Sequence, residues 1–597
     1  MASDTPAQKR SGETKRTRYE RLRVQLEDHR SPVLNDYRDV NDYILPGRAR
    51  FLTSDINQRR SRKKIIDSTG TQAAHILGSG FMGAVTSPAR EWKELTVPDD
   101  PELAKWGPVK GWLYRVAEIM SEVHRSCGVY KTLPTVYKDF GSFATGAMIV
   151  DEDLTGGRVM RTHAFAPGSY MIANDERNRV SVFMRVFQMT VRQIVGKFAA
   201  RNAKGDYDFS NISLTVQNHW GMGNYEVLIE VCHVVHPNDE YNPLLLLSRF
   251  KKFKSCYYET GSVSGSSQGN YMNDAGAGED RYLSERGYDY FPILAPRWAL
   301  TDGDSYGTDC PGMTALGDIK SLQVREKMIA RGEEKGINPA IVGSPMLKNV
   351  KASTLPGDIT YDPSPADKTM RAVHDINFRL DFSENKQAGT RARINEVYFK
   401  NLFLSISNDA RNERATAYEI AARKDEEFRA LAPVMENVND DLLDPFVDIS
   451  FSLMMQQRRI PEPPKELQGR RLGVRYISIM AQAQKSLGLG GVERFLNIAG
   501  SIGVQTGDPR LVTRKVNINR TLDVVGEMTG IPAGIVRTDE EAQAIEDQQV
   551  AAEEAAQQSQ RLAEGAKAAR DLGSVKTDES NALVDLVKSA GAGQEAN

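Results

Sequence analysis

The stretch GMTALGDIKSLQVREKMIARGEEK, residues 312–335, decides the fold because it begins a succession of helix, small module and helix. Its apolar residues share one helical face at three- and four-residue spacing, namely Leu316, Ile319, Leu322 and Ile329. Gly336 supplies a C-terminal stop. Residues 338–383 then read as short extended pieces interrupted by prolines, and a second helix is predicted over Lys386–Leu404.

Downstream of this succession, residues 405–411 carry turn chemistry and precede a long helical pattern from Ala415 to Gln456. At 1.5 Å per residue this pattern could span roughly 60 Å, with kinks expected at Pro433 and Pro445. Prolines 461, 463 and 464 end it. Further helices are predicted over Val474–Gly488, Val492–Ile502 and Ile518–Met528.

Upstream, the hydrophobic pattern changes from a helical period to alternation. Helices are predicted over 18–43, 65–83 and 102–126. Strands are predicted at Met148–Asp151, Val159–Ala164, Tyr170–Ala173, Val180–Val186 and Val227–Val235. The sequence therefore predicts an α+β protein with a helical frame and a β-rich insert.

Composition narrows the class of protein. The chain has 597 residues, too many for one core, and contains no run of about 18 apolar residues that could span a membrane. Four dispersed cysteines indicate free thiols. Residues 1–64 hold 16 Lys/Arg against 9 Asp/Glu, whereas residues 538–597 hold 5 against 13. This asymmetry indicates either interaction segments or simply solvated tails.

No pattern typical of an enzyme is present. Gly78, Gly80 and Gly83 match GxGxxG but follow a helical stretch, so a glycine helix stop is the better interpretation than a dinucleotide site. His233 and His236 would face opposite sides of a strand and make a poor metal pair. There is no phosphate-binding loop, no GxSxG and no HExxH. We therefore expect no catalytic residue, no metal and no cofactor.

Several motifs, spread over residues 20–510, resemble the podovirus head-to-tail connecting (portal) protein family. They are Thr86-Ser87-Pro88-Ala89-Arg90-Glu91-Trp92, Asp139-Phe140-Gly141 with Thr145-Gly146, Arg185 to Thr190 with Ile194 and Phe198, Pro296-Arg297-Trp298, and Ala415-Thr416-Ala417-Tyr418-Glu419 with Arg423, Glu426-Glu427, Pro433, Leu443, Pro445 and Arg459 to Pro464. Their order and spacing carry the resemblance.

The resemblance implies a portal fold with helical wing, stem and crown, a β-rich wing insert and a small α/β clip, assembled as a ring. The corresponding segments are an N-terminal basic arm and helix (1–64), the wing (65–311, β-rich over 140–300), stem helix 1 (312–336), the clip (337–384), stem helix 2 (385–404), a tunnel loop (405–414), the long wing helix (415–464), the crown (465–537) and an acidic tail or barrel helix (538–597).

A channel that passes duplex DNA should not grip it, because every neutralised phosphate adds salt-dependent affinity. The stem helices mix both charges, which suits transient contact with the DNA backbone. The candidate channel-facing residues of the stem are Lys320, Arg325, Lys327, Arg331, Lys335, Arg391 and Arg393, and those of the tunnel loop are Asn408, Arg411, Asn412 and Arg414. The alternative for each is an ordinary solvated or ion-paired surface residue.

Glu419, Arg423 and Glu427 recur at four-residue spacing on one helical face. They could form a ladder within one helix or bridges between neighbouring subunits of a ring, where the same pair would repeat. The resemblance implies a ring of usually twelve copies.

The implied partners are double-stranded DNA without sequence preference, the terminase large subunit, tail adaptor or tail tube proteins, and major capsid and scaffolding proteins, with no membrane. The implied location is the portal vertex of the virion, after assembly in the host cytoplasm. A tail adaptor or an internal core protein is the alternative, and the length of the chain argues against an adaptor. A nucleic-acid enzyme is a further alternative, but the sequence lacks the phosphate-binding loop and the metal-binding carboxylate cluster that such an enzyme needs.

Overall fold

A computed structural model describes residues 15–55, 63–153, 157–201, 205–245, 247–260, 282–337, 341–343, 370–372, 380–408, 429–477 and 489–505, with shorter pieces between 516 and 564. The chain divides into two compact units. The larger comprises Met1–Ala104 with Pro108–Gly488, and the smaller comprises Lys105–Gly107 with Leu489–Asn597. No helix of the described ranges is both long enough and apolar enough to cross a lipid bilayer.

The described helices are α1 (Lys15–Tyr43), α2 (Thr69–Val85), α3 (Pro101–Lys105), α4 (Gly107–Ser126), α5 (Val129–Phe143), α6 (Val191–Phe198), α7 (Leu214–Gly221), α8 (Pro311–Thr314), α9 (Leu316–Ile337), α10 (Leu380–Val397), α11 (Lys400–Asn408), α12 (429–438), α13 (Asp444–Gln456) and α14 (Leu489–Gln505). Short 3-10 turns cover Thr53–Asp55, Ser248–Phe250 and Lys465–Leu467.

The described strands are β1 (Lys93–Thr96), β2 (Met148–Glu152), β3 (Met160–Ala164), β4 (Tyr170–Asn174), β5 (Val180–Thr190), β6 (Ala200–Arg201), β7 (Tyr207–Asp208), β8 (Leu228–Pro237), β9 (Phe253–Glu259), β10 (Ser284–Tyr288), β11 (Ile293–Leu294), β12 (Ile341–Gly343), β13 (Met370–Ala372) and β14 (Gly473–Tyr476). They form an antiparallel sheet in the order β10-β9-β8-β5-β4, a three-stranded sheet β11-β2-β3, and the pairs β1–β14, β12–β13 and β6–β7. The α+β prediction is confirmed.

The five strands predicted in the insert are all present. Four of them extend one to four residues past the predicted end because pairing with a neighbour continues beyond the apolar run, whereas β3 ends at Ala164 as predicted. The helix predicted over Val474–Gly488 is wrong at its start, since Gly473–Tyr476 pairs with Lys93–Thr96 across the fold. Helix α5 gave no clear sequence signal. It contains Pro134 and ends at Phe143, followed by Ala144 with a φ of 59°.

The large helical core is organised around Phe81 of α2. Its ring lies 5.7 Å from the ring of Tyr137, 6.0 Å from Phe140, 5.9 Å from Trp298 and 5.4 Å from Phe403. Aromatic pairs at these separations contribute about 0.5–1.5 kcal/mol each beyond the area that they bury. This hub joins α2, α5, α11 and the segment before α8.

Glycines let the helices approach the hub closely. A Cβ on Gly80 would lie 2.3 Å from the Phe403 ring, and a Cβ on Gly141 would lie 1.9 Å from a methyl of Leu77. The interpretation of Gly78 and Gly80 as a helix stop is therefore wrong, because α2 runs through both and ends at Val85. Their small size serves packing, and the motif does not follow a strand as a dinucleotide loop would.

A π-helical turn at Asn439–Leu443 separates α12 from α13 and lies just before Pro445, one of the two prolines at which the sequence predicts a kink. Such turns commonly mark places where the regular hydrogen-bond ladder of a helix is interrupted. Asp441 lies in this turn and forms a bidentate ion pair with Arg297, with both N–O distances 3.1 Å.

The Arg297 guanidinium hydrogen-bonds to three residues on two segments of the chain. Besides Asp441, it donates to Asn174 Oδ1 at 3.0 Å and to the Asn178 carbonyl at 2.7 Å. Its side chain is 1% exposed and that of Asp441 is 12% exposed. The pair therefore connects the π turn of the long helix to the turn between β4 and β5.

We predict that Arg297→Ala lowers the free energy of unfolding by about 3–5 kcal/mol, because it leaves the Asp441 carboxylate buried without its cation. The measurement is the urea midpoint followed by tryptophan fluorescence, to which the adjacent Trp298 should contribute. The double variant Arg297→Ala/Asp441→Ala should recover part of the loss.

The matched control is Arg18→Ala, which breaks an ion pair with Asp239 whose side chains are 61% and 67% exposed. An exposed pair contributes less than about 1 kcal/mol. Equal losses for Arg18→Ala and Arg297→Ala would contradict the role given to the buried pair.

Candidate functional site

The candidate site is the pair of helices α9 and α10, which holds all seven predicted stem cations. The base of the pair is fastened to the residues before α2 by Gln323, whose side chain is buried. Its amide oxygen accepts from the backbone N–H groups of Ile66 at 2.7 Å and Asp67 at 2.8 Å, and its nitrogen donates to the Asp67 carbonyl at 2.8 Å. Buried Leu322 and Ile394 place this end of both helices in the main core.

Arg391 of α10 binds two carboxylates on different segments. Its Nε donates to Asp67 at 2.9 Å, and its Nη2 donates to Glu326 of α9. Burial by itself would raise the pKa of Asp67, but hydrogen bonds from Thr69 and Arg391 outweigh it, so that this pKa lies below its ordinary 3.8. Arg391 therefore fixes the separation between α9, α10 and the start of α2.

Three more of the predicted cations are also engaged within the chain. Arg393 forms a bidentate pair with Asp318 at 2.9 and 3.1 Å. Lys320 pairs with Asp39 of α1 at 2.7 Å, and Arg325 donates to Thr390 at 3.4 Å. The hydrogen bond from Arg393 lowers the pKa of Asp318, although burial opposes it. Together with Arg391, these residues tie α9 and α10, which we call the stem pair after their predicted role, to each other, to α1 and to the segment before α2.

The last three turns of α9 differ from its base. Lys327, Arg331 and Lys335 are exposed, and none of them forms an ion pair within the described parts of the chain. Their four-residue spacing puts them on one side of the helix over about 12 Å of its length. Val324 and Met328 lie on the same side and are 53% and 63% exposed. We call these five residues the open face of α9.

Of the predicted tunnel-loop and intersubunit residues, the structure describes only Asn408. Helix α11 continues through Ser405 to Asn408, so the predicted loop does not begin at residue 405. Asn408 closes that helix. The described residues exclude Arg411, Asn412, Arg414, Glu419, Arg423 and Glu427.

Sequence reasoning missed the acidic partners of the stem cations. Asp39, Asp67 and Asp318 lie 281, 324 and 75 positions from their partners Lys320, Arg391 and Arg393. No local spacing signals such a pair. The family motifs were a better guide: Asp139 binds Arg48 through Nε at 2.8 Å, and Arg297 forms the buried pair with Asp441.

The two histidines considered for a metal point to opposite faces of β8, as expected. His233 stacks on Tyr257 with ring centroids 3.9 Å apart, whereas Nε2 of His236 lies 3.0 Å from the Tyr19 hydroxyl oxygen. Over the described ranges, no cluster of His, Cys, Asp or Glu could hold a metal ion.

Comparison with known proteins identifies the family. Residues 16–536 match the bacteriophage head to tail connecting protein family. The chain belongs to this family. The match extends across the helical core, the five-stranded sheet, the stem pair and the predicted tunnel loop, which supports the resemblance inferred from the motifs.

Two relatives of this connector are similar over nearly their full lengths. The portal protein of Salmonella phage epsilon15 is 36% identical over 586 residues, covering 98% of this chain and 100% of that protein. A probable portal protein of Bordetella phage BPP-1 is 33% identical over 566 residues, covering 94% and 96%. These likenesses support phage portal function for the connector.

We predict that Arg391→Gln lowers the free energy of unfolding by about 1–2 kcal/mol, because it leaves the mostly buried Asp67 carboxylate without its cation. Lys327→Gln is the matched control and should change the free energy of unfolding by less than about 0.5 kcal/mol, since Lys327 is exposed and has no ion pair with a described residue. Urea unfolding measures both. A loss for Lys327→Gln equal to that for Arg391→Gln would argue against this division of roles.

The stability that the ion pairs Arg391–Asp67 and Arg393–Asp318 contribute should depend on pH. The folded-state pKa values of Asp67 and Asp318 lie below 3.8, so the stability that they contribute is present above that pH and is lost as the pH falls through the folded values. The difference in thermal midpoint between the wild type and Arg391→Gln/Arg393→Gln should be full at pH 6 and shrink below pH 3.8. A difference that grows on acidification would refute the assignment.

Proposed function

We propose that this chain assembles into a closed ring, of twelve copies as the family resemblance implies, whose axial channel passes double-stranded DNA into and out of the phage head. The near full-length likeness to portal proteins of two phages carries the proposal. In this role the protein is structural and performs no catalysis. It lies at the portal vertex of the virion after assembly in the host cytoplasm.

The open face of α9 is our candidate for DNA contact. Its three cations form no ion pair with any described residue. The other stem cations are held within the chain, Lys320, Arg391 and Arg393 by carboxylates and Arg325 by the Thr390 hydroxyl. Exposed Glu333 and Glu334 on neighbouring sides of the helix limit the net positive charge. A modest excess of positive charge suits brief contact with phosphates, because each lasting contact would add counterion-release affinity.

The family resemblance suggests roles for the other segments. The tunnel loop, with Arg411, Asn412 and Arg414, would contact DNA next to the stem, and Glu419, Arg423 and Glu427 would bridge neighbouring subunits. The clip, of which β12 and β13 form a small antiparallel pair, would dock the terminase large subunit and later the tail adaptor or tail tube. Major capsid and scaffolding proteins would surround the ring.

We predict that the triple variant Lys327→Ala/Arg331→Ala/Lys335→Ala still forms rings but binds duplex DNA with a weaker salt dependence. Each lost phosphate contact should lower the slope of log Kobs against log salt by about 0.9. The readouts are negative-stain images and fluorescence anisotropy of a labelled duplex between low and moderate salt.

The control triple, Arg115→Ala/Lys131→Ala/Lys465→Ala, removes two lysines and one arginine that are exposed elsewhere. It should leave the slope unchanged. If the α9 variant forms intact rings and its salt slope is unaltered, the open face of α9 does not contact DNA. If that variant no longer forms rings, the open face lies between subunits instead. A stable monomer of the wild type would overturn the portal proposal itself.

A further inference from the structure

One face of the five-stranded sheet carries an unusual polar row. The strand register places Arg185 of β5 beside His233 of β8, and His233 beside Tyr257 of β9, so the three side chains share that face. The rings of His233 and Tyr257 are stacked, and His233 Nε2 lies 3.0 Å from the Ser255 hydroxyl.

Apolar clusters lie on both sides of the row. Phe183 and Val235, one step along the sheet, pack with Phe165 and Tyr170. Phe187 and Val231, one step the other way, pack with α6 and α7. A guanidinium held between two apolar clusters loses hydration, and this is costly unless an anion or hydrogen-bond acceptor compensates it.

No such compensation is complete for Arg185. Its Cζ lies 4.0 Å from the Phe187 ring and 4.6 Å from the Phe165 ring, and its Nε is buried with no hydrogen-bond partner. Cation–π contact recovers part of the lost hydration. Tyr257 supplies a hydrogen-bond partner to the guanidinium, but the buried Nε–H donor remains without an acceptor.

Further cations converge on the same place. The Nζ atom of Lys197, on α6, lies 4.2 Å from the centroid of the Tyr257 ring and 5.1 Å from the centroid of the Phe198 ring. Arg286 of β10 pairs with Ser255 in the strand register and so shares the face of the row. Burial first, and then repulsion from Arg161, Arg185 and Arg286, lowers the pKa of Lys197 to about 8. Its environment therefore has a strong positive excess.

Within the described part of the insert, one carboxylate is seen to act on Lys197. Asp151 of β2 partly offsets the repulsion on Lys197, but both of its oxygens are already bound. One lies 3.1 Å from Arg161, and the other accepts from the Tyr288 hydroxyl at 2.9 Å. Among the residues that the structure describes here, four cations thus face the Asp151 carboxylate, an excess of three positive charges.

We propose that Arg185, Lys197, Arg286 and Arg161 form an oxyanion site in the insert that binds a phosphate group. Arginine forks and a lysine match phosphate oxygens in geometry and charge, and a phosphate compensates an excess of three charges better than one carboxylate does. The phosphate could belong to the DNA backbone or be free in solution. The site is separate from the open face of α9 and does not depend on the ring proposal.

Isothermal titration calorimetry of the full-length protein with inorganic phosphate, at constant ionic strength in chloride, tests the site. The wild type should show saturable binding that is at least about tenfold tighter than its binding of acetate. Lys197→Gln/Arg286→Gln should weaken phosphate binding by about tenfold or more, because charge-assisted hydrogen bonds are lost.

The control Arg192→Gln/Lys252→Gln removes one arginine on α6 and one lysine beside β9, both exposed and outside the cluster, and should leave binding unchanged. Lys197 is on the exposed side of the site, so Lys197→Gln alone serves if the double variant misfolds. Competition with a short DNA duplex assigns the source: displacement of phosphate points to the DNA backbone, and no displacement points to free phosphate.

Three results would overturn the proposal. The first is no saturable phosphate binding by the wild type. The second is equal weakening in the control variant, which would mean general charge attraction. The third is acetate binding as tight as phosphate binding, which would favour an acidic peptide segment as the natural occupant.

Discussion

The buried ion pair between Arg297 and Asp441 is the constraint on which the rest of the larger unit depends. The guanidinium satisfies the π turn before Pro445 and the turn between β4 and β5 at once. Because a half-satisfied charge in this position would be costly, the long helix and the sheet can meet in one arrangement only. Trp298, the next residue, enters the aromatic hub around Phe81 and so couples that arrangement to α2 and α11.

A second set of charged contacts extends this frame to the stem pair. Arg391, Arg393 and Lys320 are bound to carboxylates of the same chain, so the base of the pair is fixed. The far end of α9 leaves its cations open. This division separates a rigid attachment at one end of the helix pair from the surface at the other end that we propose for DNA contact. The cations of α9 and α10 therefore fall into an ion-paired group and an exposed group, which composition alone could not separate.

Local patterns predicted much of the fold and little of the site. Alternation located the strands of the insert, and helical spacing located α9, because each depends on residues a few positions apart. The β1–β14 pair joins segments almost 400 positions apart and replaced a predicted helix at Val474. The partners of Lys320, Arg391 and Arg393 were invisible for the same reason. Gly78 and Gly80 were misread as a helix stop because close packing by Lys138 and Phe403 leaves no local trace.

A cryo-electron microscopy structure of the purified, full-length protein would show whether the subunits close into a ring and which side of α9 lines it. We expect a closed ring with an open axial channel, in which the side of α9 carrying Lys327, Arg331 and Lys335 faces the axis and the Arg391 bridge to Asp67 and Glu326 is intact. A monomer, an open filament or a ring in which that side of α9 is buried away from the channel would contradict it.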